Sequence, residues 1–241
     1  MWNSDAAYDN FMGRFSSRLA PVFADFAGVK PGERVLDVGA GTGMLTQELV
    51  RRGALAAAIE PAPAFAASLR RRFPDLDVRE GAAEHLPWED GSFDVALAQL
   101  VVAFMDDAPR GVAEMARVAN GRVAVCMWDM EEMQLLASVN HVRAHMGESP
   151  TEPRRYRTMA EIEELVGPGA ETAALDVEAS YDDFEDYWTS LLGGAGPLGL
   201  WVASLDDARR KTARAELLRE LGEPTGAFTL KARAWAGRTT G

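Results

Sequence analysis

Residues 35–43 read VLDVGAGTG, and this stretch is the most informative in the chain of 241 residues. Apolar residues and one acid lead into alternating glycines, and Met44, Leu45 and Leu49 then come at helical spacing. Such a pattern indicates a buried strand that turns sharply into a helix. In an open α/β sheet, ligands bind beyond the carboxyl ends of the strands, so the glycine turn is a candidate binding site.

The alternation of strand and helix continues beyond this turn. The predicted strands cover residues 34–39, 55–60, 76–80, 93–99, 122–128, 173–180 and 227–235. The last of them alternates apolar and polar residues, as a strand with one wet face does. Strands that alternate with helices imply right-handed crossovers and a parallel sheet covered on both faces. The sequence therefore predicts a doubly wound α/β fold.

Helical spacing of apolar residues predicts the remaining elements. It indicates one helix or two short ones over residues 8–26, and helices at 42–52, 62–73, 108–119, 131–146, 159–166, 181–192 and 204–221. Thr158 and Glu161 have the spacing of a capping box at the start of helix 159–166. The glycine-rich residues 193–199 are predicted to be a linker between the last two helices.

The composition favours a cytoplasmic protein with a small-molecule ligand. A net charge of −12 disfavours binding to DNA or RNA, which depends on positive charge. The single cysteine leaves neither a disulfide framework nor a cysteine metal site. No apolar run reaches the ~20 residues of a membrane span, and residues 1–10 lack the features of a signal peptide, so no membrane association is expected.

The residues after the glycine turn narrow the choice of ligand. A phosphate-binding loop ends in Gly-Lys-Ser/Thr, whereas Met44 and Leu45 come after Gly43. A dinucleotide fingerprint has its third glycine where this chain has Met44. Glu60 ends the second strand, where an acid can hold both hydroxyls of a ribose. These features indicate an adenosine-like ligand; the alternative is that Glu60 is only a solvated acid at a strand end.

Four motifs together carry a resemblance to a known family: VLDVGAGTG, IEP at 59–61, GAAEHLPWEDGSFDVALAQLV at 81–101, and EMARV at 114–118. They resemble the class I S-adenosylmethionine-dependent methyltransferases, in particular the type 11-like branch that acts on small molecules. The resemblance is specific over residues 35–129 and weaker at both ends. It implies a Rossmann-like, mostly parallel sheet of seven strands with an antiparallel last strand and helical cap elements.

The resemblance also implies which residues meet the cofactor, S-adenosylmethionine. Asp37 orders the turn and meets the ammonium group of the cofactor through water. Glu60 holds the ribose hydroxyls with Pro61 near the adenine, and Gln99 lies beside the methionine end. The turn residues whose backbone approaches the cofactor are Gly39, Ala40, Gly41 and Gly43. The adenine is recognised around Ala82, Ala83 and Glu84, although the family usually has an acid in place of Ala82.

At the N-terminus, Tyr8, Met12 and Arg14 match a segment that folds over the cofactor in this family. Arg14 either pairs with the cofactor carboxylate or is simply an exposed arginine. The predicted organisation is a single methyltransferase domain over 1–241, with a helical lid at 1–30, a cofactor-binding core at 31–130 and substrate-cap helices within 131–225. The cap aromatics Phe184, Tyr187, Trp188 and Trp201 either pack the cap or line a pocket for a planar or cationic acceptor.

No catalytic constellation stands out, and methyl transfer depends mainly on alignment of the reactants. His141 and His145 are four residues apart on one helix, and they are the weak candidates for a general base. They lack a third ligand, so no metal site is expected. Two rival functions are a NAD-dependent oxidoreductase and a protein that binds S-adenosylmethionine without transferring its methyl group. The oligomeric state is left open.

Overall fold

A computed structural model describes residues 5–149, 155–193 and 196–239. Seven strands form one sheet in the order β3-β2-β1-β4-β5-β7-β6. The strands are β1 (Arg34–Val38), β2 (Leu55–Glu60), β3 (Asp77–Glu80), β4 (Phe93–Gln99), β5 (Ala119–Trp128), β6 (Glu171–Tyr181) and β7 (Phe228–Arg238). Strands β1 to β5 pair in parallel and β7 pairs antiparallel to β5. The predicted Rossmann-like fold with an antiparallel last strand is confirmed.

Ten α-helices are seen in the part of the chain that the structure describes. They are α1 (Asp5–Asn10), α2 (Gly13–Phe26), α3 (Met44–Arg51), α4 (Pro63–Arg72), α5 (Ala108–Val118), α6 (Gln134–His145), α7 (Met159–Val166), α8 (Phe184–Leu192), α9 (Gly196–Ser204) and α10 (Asp207–Glu220). The capping box at α7 is confirmed, because Thr158 and Glu161 each bond the other's backbone amide. A 3-10 turn at Val102–Phe104 comes after β4.

Helix α9 corrects the prediction of a linker at residues 193–199 from Gly196 onward; residues 194 and 195 of that segment lie outside the described residues. The glycines and the proline there suggested a break in the chain, but Pro197 is the second residue of the helix. A proline in the first helical turn costs no hydrogen bond, because the amides of that turn have no partner within the helix. The apolar residues after it then continue the helix to Ser204.

The chain divides into two compact units. The first unit comprises the described parts of Met1–Phe15, Met130–Pro153 and Asp176–Arg233, and the second those of Ser16–Asp129, Arg154–Leu175 and Ala234–Gly241. The predicted lid, core and cap at 1–30, 31–130 and 131–225 stay predictions of functional segments. None of the described helices combines the length and the hydropathy of a bilayer-spanning segment.

In the second unit, helices cover both faces of the central strands. Ala57 and Ile59 belong to an apolar cluster that includes residues of α5 and α7. Ala58, between them, belongs to another cluster with Leu69 of α4. Because successive side chains of a strand point to opposite faces, strands buried in this way are apolar throughout. Polar side chains therefore lie at or next to the carboxyl ends of the strands, as Asp37, Glu60 and Gln99 do.

The first unit has a core rich in aromatic side chains. Tyr181 and Tyr187 are fully buried and meet edge to face, with ring centroids 5.3 Å apart. Phe228 stacks on Tyr181 at 5.4 Å. The cap aromatics Phe184, Tyr187, Trp188 and Trp201 are all buried. Packing thus accounts for these four side chains, and their contact with an acceptor stays a prediction.

Candidate functional site

The glycine turn after β1 is built from left-handed backbone conformations. Gly39, Gly41 and Gly43 have φ values of 70°, 58° and 91°. Residues other than glycine adopt such positive φ values only at a cost in free energy. The amides of Gly39 and Ala40 both donate to the carbonyl of Ile59, at 2.8 and 3.1 Å, so the turn is held against β2. A Cβ on Gly41 would meet no atom within 4 Å. The conformation rather than a lack of space therefore favours glycine at position 41.

Gly43 and Gly39 also permit close packing behind the turn. A Cβ on Gly43 would lie 2.7 Å from both Leu69 Cδ2 and Phe73 Cε2. A Cβ on Gly39 would lie 2.9 Å from Cβ of Val101. These distances are shorter than carbon atoms tolerate, so the turn approaches its neighbours as closely as only glycine permits.

Glu60 connects the end of β2 to this turn. One carboxylate oxygen, Oε2, accepts the amide of Gly41 at 2.9 Å, and Oε1 accepts the amide of Ala62 at 2.9 Å. The residue is only 6% exposed, and burial raises the pKa of its carboxyl above the usual range against the effect of these two bonds. It is therefore not a solvated acid. A carboxylate has about four lone-pair sites, so it retains the capacity to accept hydroxyl groups.

Asp37 lies inside β1, beneath the turn, and is 1% exposed. The hydroxyl of Thr46 on α3 donates to Asp37 Oδ2 at 2.6 Å. Burial raises the pKa of Asp37 to about 7, the nearby charge of Glu60 adds to the rise, and the bond from Thr46 opposes it. Asp37 therefore ties the strand before the turn to the helix after it.

Several polar atoms near the carboxyl ends of β1 and β4 are incompletely paired. Gln99 Nε2 donates to the carbonyl of Ser16 at 3.1 Å. The oxygens Gln99 Oε1, Ser16 Oγ and Thr42 Oγ1 are buried and have no hydrogen-bond partner among the described residues. Buried polar atoms are rarely left unpaired in native proteins. Open space at Gly41 and unpaired oxygens at these strand ends fit a polar ligand such as a nucleoside with an amino-acid group.

Ser16 was not predicted from the sequence to lie at the site. It is 2% exposed on α2, where the residues at helical spacing from it, Leu19 and Phe23, are also buried. A serine within an otherwise apolar stripe of a helix is the sequence signal that could have identified it. Beyond Gln99, Leu100 has a φ of 64°, which is strained for a bulky side chain. Such strain is found where the surrounding structure holds a functional geometry.

The loop predicted to recognise adenine is tied to α5. Glu84 Oε1 accepts the amide of Asp107 at 3.1 Å, and the carbonyl of Glu84 accepts Nε of Arg110 at 3.1 Å. Ala83 is buried, whereas Ala82 and Pro61 are exposed. One oxygen of Glu84 thus already holds the start of α5, and adenine recognition by these four residues stays a prediction.

Further along the same loop, α5 holds Leu86. The carboxylate of Glu114 accepts the amide of Leu86 at 3.0 Å, and Nη2 of Arg117 donates to the carbonyl of Leu86 at 2.9 Å. The Arg117 guanidinium, bonded to Glu114, lowers the pKa of that carboxyl to about 2. The pair therefore remains ionised over the physiological range and fixes the loop backbone.

Tyr8, Met12 and Arg14 belong to the first unit. Arg14 is not a simple exposed arginine. Its Nη1 donates to Asp186 Oδ2 at 2.8 Å and to the carbonyl of Ser180 at 3.2 Å, and its guanidinium lies over the ring of Tyr181 at 4.8 Å. Asp186 raises the pKa of Arg14 above its ordinary value. Met12 is buried and Tyr8 half-buried, and the role of all three in cofactor binding stays a prediction.

His141 and His145 lie on the exposed side of α6. Nδ1 of His141 is 2.8 Å from Glu220 Oε1, and its side chain is 66% exposed. In the described part of the chain, no group of three or more His, Cys, Asp or Glu side chains is arranged to hold a metal ion. A role for either histidine as a general base stays a prediction.

Comparison with known proteins agrees with this arrangement. Residues 36–125 match a family described as a methyltransferase domain, of type 11. A demethylmenaquinone methyltransferase from Beutenbergia cavernae is 38% identical over 103 residues, which cover 42% of this chain and 43% of that protein. The chain therefore spans less than half the length of this curated relative.

Two solved structures show the same fold. The YcgJ protein from Bacillus subtilis has a TM-score of 0.55 at 19% identity, covering 92% of this chain and 98% of that one. The [4+2]-cyclase SpnF has a TM-score of 0.52 at 18% identity, covering 93% and 81%. The glycine turn, Glu60 and the end of β4 all lie within the matched family segment, residues 36–125. Residues 36–125 thus match a methyltransferase domain of type 11, and the chain has a homologue described as a methyltransferase.

Proposed function

We propose that the protein transfers a methyl group from S-adenosylmethionine to an oxygen, nitrogen or carbon atom of a small molecule. The observation that carries the proposal is the position of Glu60. Its buried carboxylate is held in place by the amides of Gly41 and Ala62, at the end of the strand beside the glycine turn. A carboxylate oriented in this way is preorganised to accept the hydroxyls of a ribose.

In this proposal, residues of the second unit contact different parts of the cofactor. Glu60 holds the ribose, the backbone of Gly39–Gly43 lies against the nucleoside, and Gln99 lies at the methionine end. When bound, S-adenosylmethionine supplies a methyl group activated by a positively charged sulfur. Fixed side chains then contribute chiefly by aligning the two reactants and excluding water, an effect worth ~7–11 kcal/mol in well-oriented reactions.

A general base is required only if the acceptor loses a proton during transfer. Of the two histidine candidates, His141 is the one whose ring lies beside a carboxylate, that of Glu220. The Glu220 carboxylate at Nδ1 favours the tautomer that leaves Nε2 free to take a proton. The pair His141–Glu220 is therefore the first candidate for a base, should the acceptor need one.

We propose further that the acceptor is a planar aromatic or cationic small molecule. The support is the net charge of −12, which favours cations over anions as ligands. Nucleic acid is not proposed as an acceptor, because the same charge repels a polyanion.

Calorimetric titration tests cofactor binding directly. We expect S-adenosylmethionine and S-adenosylhomocysteine to bind and NADH not to bind. Glu60→Gln removes the charge and one acceptor oxygen. It should weaken the binding of both sulfur compounds by roughly 10- to 100-fold, the range for loss of a hydrogen bond to a charged group. Glu80→Gln is the matched control, since Glu80 is the register partner of Glu60 on β3 and is exposed.

Two results would contradict the proposal for Glu60. Unchanged affinity in Glu60→Gln would show that this residue does not hold the ribose. Equal weakening by Glu80→Gln would show that the acids act through their overall charge and not through hydrogen bonds. Tight binding of NADH would instead favour an oxidoreductase. The sequence disfavours that function, because Met44 at the start of α3 stands where a dinucleotide-binding fingerprint has its third glycine.

The alternative is a protein that binds S-adenosylmethionine without transferring its methyl group. The fold is also that of a protein described as a cyclase, and a fold alone does not determine a reaction. Incubation with cofactor labelled at the methyl group and a set of phenols, amines and thiols separates the two functions. Label in any product supports the methyltransferase; binding without labelled product across the set supports the alternative.

A further inference from the structure

Arg72, the last residue of α4, reaches the glycine turn after β1. Its Nη1 donates to the carbonyl of Thr42 at 2.6 Å, and Thr42 is only 1% exposed. Positive charge at the end of a helix is commonly explained by the helix dipole, which favours it there. That explanation concerns the charge alone and does not account for a hydrogen bond to a residue outside the helix.

The peptide bond between Thr42 and Gly43 is held from both sides. Its N–H, which belongs to Gly43, donates to the carbonyl of Ala40 at 2.9 Å, and its C=O accepts the bond from Arg72. The C=O and N–H of a planar trans peptide point in opposite directions, so bonds to both groups determine the orientation of the peptide plane.

The residues of the turn itself do little to fix this peptide. Gly41 and Gly43 flank Thr42, and glycine resists rotation of the adjacent peptide planes less than other residues do. The hydroxyl of Thr42 is buried and has no hydrogen-bond partner among the described residues, so this side chain does not anchor the backbone through a hydrogen bond. The bond from Arg72 therefore supplies a constraint that the turn lacks.

Anchoring of α4 does not explain the contact, because this helix is held elsewhere. Nε of Arg70 donates to the carbonyl of Val78 in β3 at 3.1 Å. Leu69 packs in an apolar cluster with Ala58 and Val78. These contacts tie α4 to β2 and β3 without involving the polar groups of the turn.

We propose that Arg72 is a positioning residue that holds the glycine turn in the conformation that receives the cofactor. The inference rests on the proposed function. Glu60 accepts the amide of Gly41, next to Thr42, so a rotated Thr42–Gly43 peptide would disturb the carboxylate that is proposed to hold the ribose. If the turn adopts the binding conformation only part of the time, the apparent affinity falls by that fraction.

Calorimetry with S-adenosylhomocysteine compares two arginines at the same helix end. Arg72→Met should weaken binding about 5- to 10-fold, as for loss of one hydrogen bond that orders the turn. Arg70→Met is the matched control, because it removes the same charge and also a bond to a backbone carbonyl, and the affinity should not change. Arg72→Lys keeps the charge and a donor, so it should recover part of the affinity.

Hydrogen exchange on the unliganded proteins tests the turn without the cofactor. A peptide covering residues 38–46, followed by mass spectrometry, reports on the amides of the turn. In Arg72→Met the Gly43 amide should exchange faster than in the wild type, whereas the amides of β3 should keep their rates. In Arg70→Met the amides of the turn should exchange as in the wild type.

A loss of folding is recognised by faster exchange throughout the chain, and Arg72→Lys then carries the test. Faster exchange in the turn without a loss of affinity would restrict Arg72 to a structural role and overturn the inference. Unchanged affinity with unchanged exchange would show that the bond does not order the turn at all. Equal weakening by Arg70→Met would assign the effect of both arginines to α4 or to its charge.

The proposed function can fail separately from this inference. Failure of the wild type to bind S-adenosylhomocysteine would reject the proposed function, and that result is seen before any variant is made. The exchange rates of the turn amides would then still measure how firmly Arg72 holds the turn, but its role toward the cofactor would be rejected as well.

Discussion

Asp37 is a carboxyl whose ionised form is disfavoured both by burial and by the nearby charge of Glu60. It is enclosed in β1, bonded to Thr46, and close enough to Glu60 for the two negative charges to repel. The result is a carboxyl that changes its protonation near neutral pH while the protein is folded. In the unfolded chain the same group titrates near its ordinary value of 3.8.

This difference predicts how stability changes with pH. Between about pH 4 and pH 7 the folded state binds a proton that the unfolded state has released, so the free energy of unfolding falls as the pH rises through that window. The rise in the pKa of Asp37 from 3.8 to about 7 lowers the free energy of unfolding by on the order of 4 kcal/mol across this window. Above pH 7 the full cost is present.

Asp37→Asn isolates this effect. Asparagine keeps an oxygen for the bond from Thr46 and does not titrate. Urea unfolding of both proteins at pH 5 and pH 8 should show that the stability of the wild type relative to Asp37→Asn decreases at the higher pH. A difference that stays constant between the two pH values would contradict the expected burial of a titrating group.

Residue roles were only partly predictable from the sequence. Glu60 was predicted to hold a ribose from its place at a strand end after a glycine turn, and that role stays a prediction although the residue is buried beside the turn. Its bond to the Gly41 amide could not be foreseen, because it depends on how the turn folds back toward β2. Ser16 was missed for a similar reason: whether a serine on an apolar helix face is paired is decided by a distant strand.

At the scale of secondary-structure elements, the turn between β1 and α3 is the part most sensitive to side-chain volume. Gly43 leads into α3 with a φ of 91° and faces Leu69 and Phe73 near the end of α4. A methyl group there is penalised twice, by the backbone conformation and by the contact.

Gly43→Ala is therefore expected to destabilise the protein by about 2–4 kcal/mol in urea unfolding. Gly32→Ala is the control, because Gly32 also has a positive φ, of 81°, but a Cβ there would meet no atom within 4 Å. Its cost should be limited to the conformational part, about 1–2 kcal/mol. Equal costs for the two variants would show that α4 yields to the added methyl group.

The elements themselves were predictable where burial is continuous. The apolar runs of β1, β2 and β4 have no alternative but a covered parallel sheet, and their predicted bounds agree closely with the structure. Helix α9 was missed because glycine and proline in its first turn resemble a loop. Strand β5 begins at Ala119 and not at 122, since Asn120 and Gly121 are drawn into the strand beside β4.

For the whole molecule, net charge is the property with the widest reach. A charge of −12 gives the molecule a negative overall potential, and the carboxyl of Glu60 lies at the candidate site. S-adenosylmethionine carries one net positive charge at neutral pH, whereas S-adenosylhomocysteine carries none.

Raising the salt concentration should therefore weaken the binding of the two ligands to different extents. Between about 0.05 and 0.5 M salt, the affinity for S-adenosylmethionine is expected to fall a few-fold more than that for S-adenosylhomocysteine, because the Debye length shortens from roughly 14 to 4 Å. Parallel titrations of both ligands at each concentration measure the difference. An equal response would show that the field of the protein does not distinguish the sulfonium from the thioether.

The division into two units was not predictable, because it depends on contacts between segments far apart in the sequence. Residues 5–15 group with the described parts of Met130–Pro153 and Asp176–Arg233, whereas Ser16 already belongs to the unit of the central sheet. Periodicity and motifs describe neighbours along the chain and carry no information about such grouping.

Cys126, in β5, is fully buried, and burial raises the pKa of its thiol far above the ordinary value. A thiol in this state is a poor nucleophile toward alkylating reagents. Since it is the only cysteine of the chain, a second one introduced on the surface would be modified alone. The native sequence is therefore already suited to attaching a single fluorophore or spin label at a chosen position, with no prior substitution in the core.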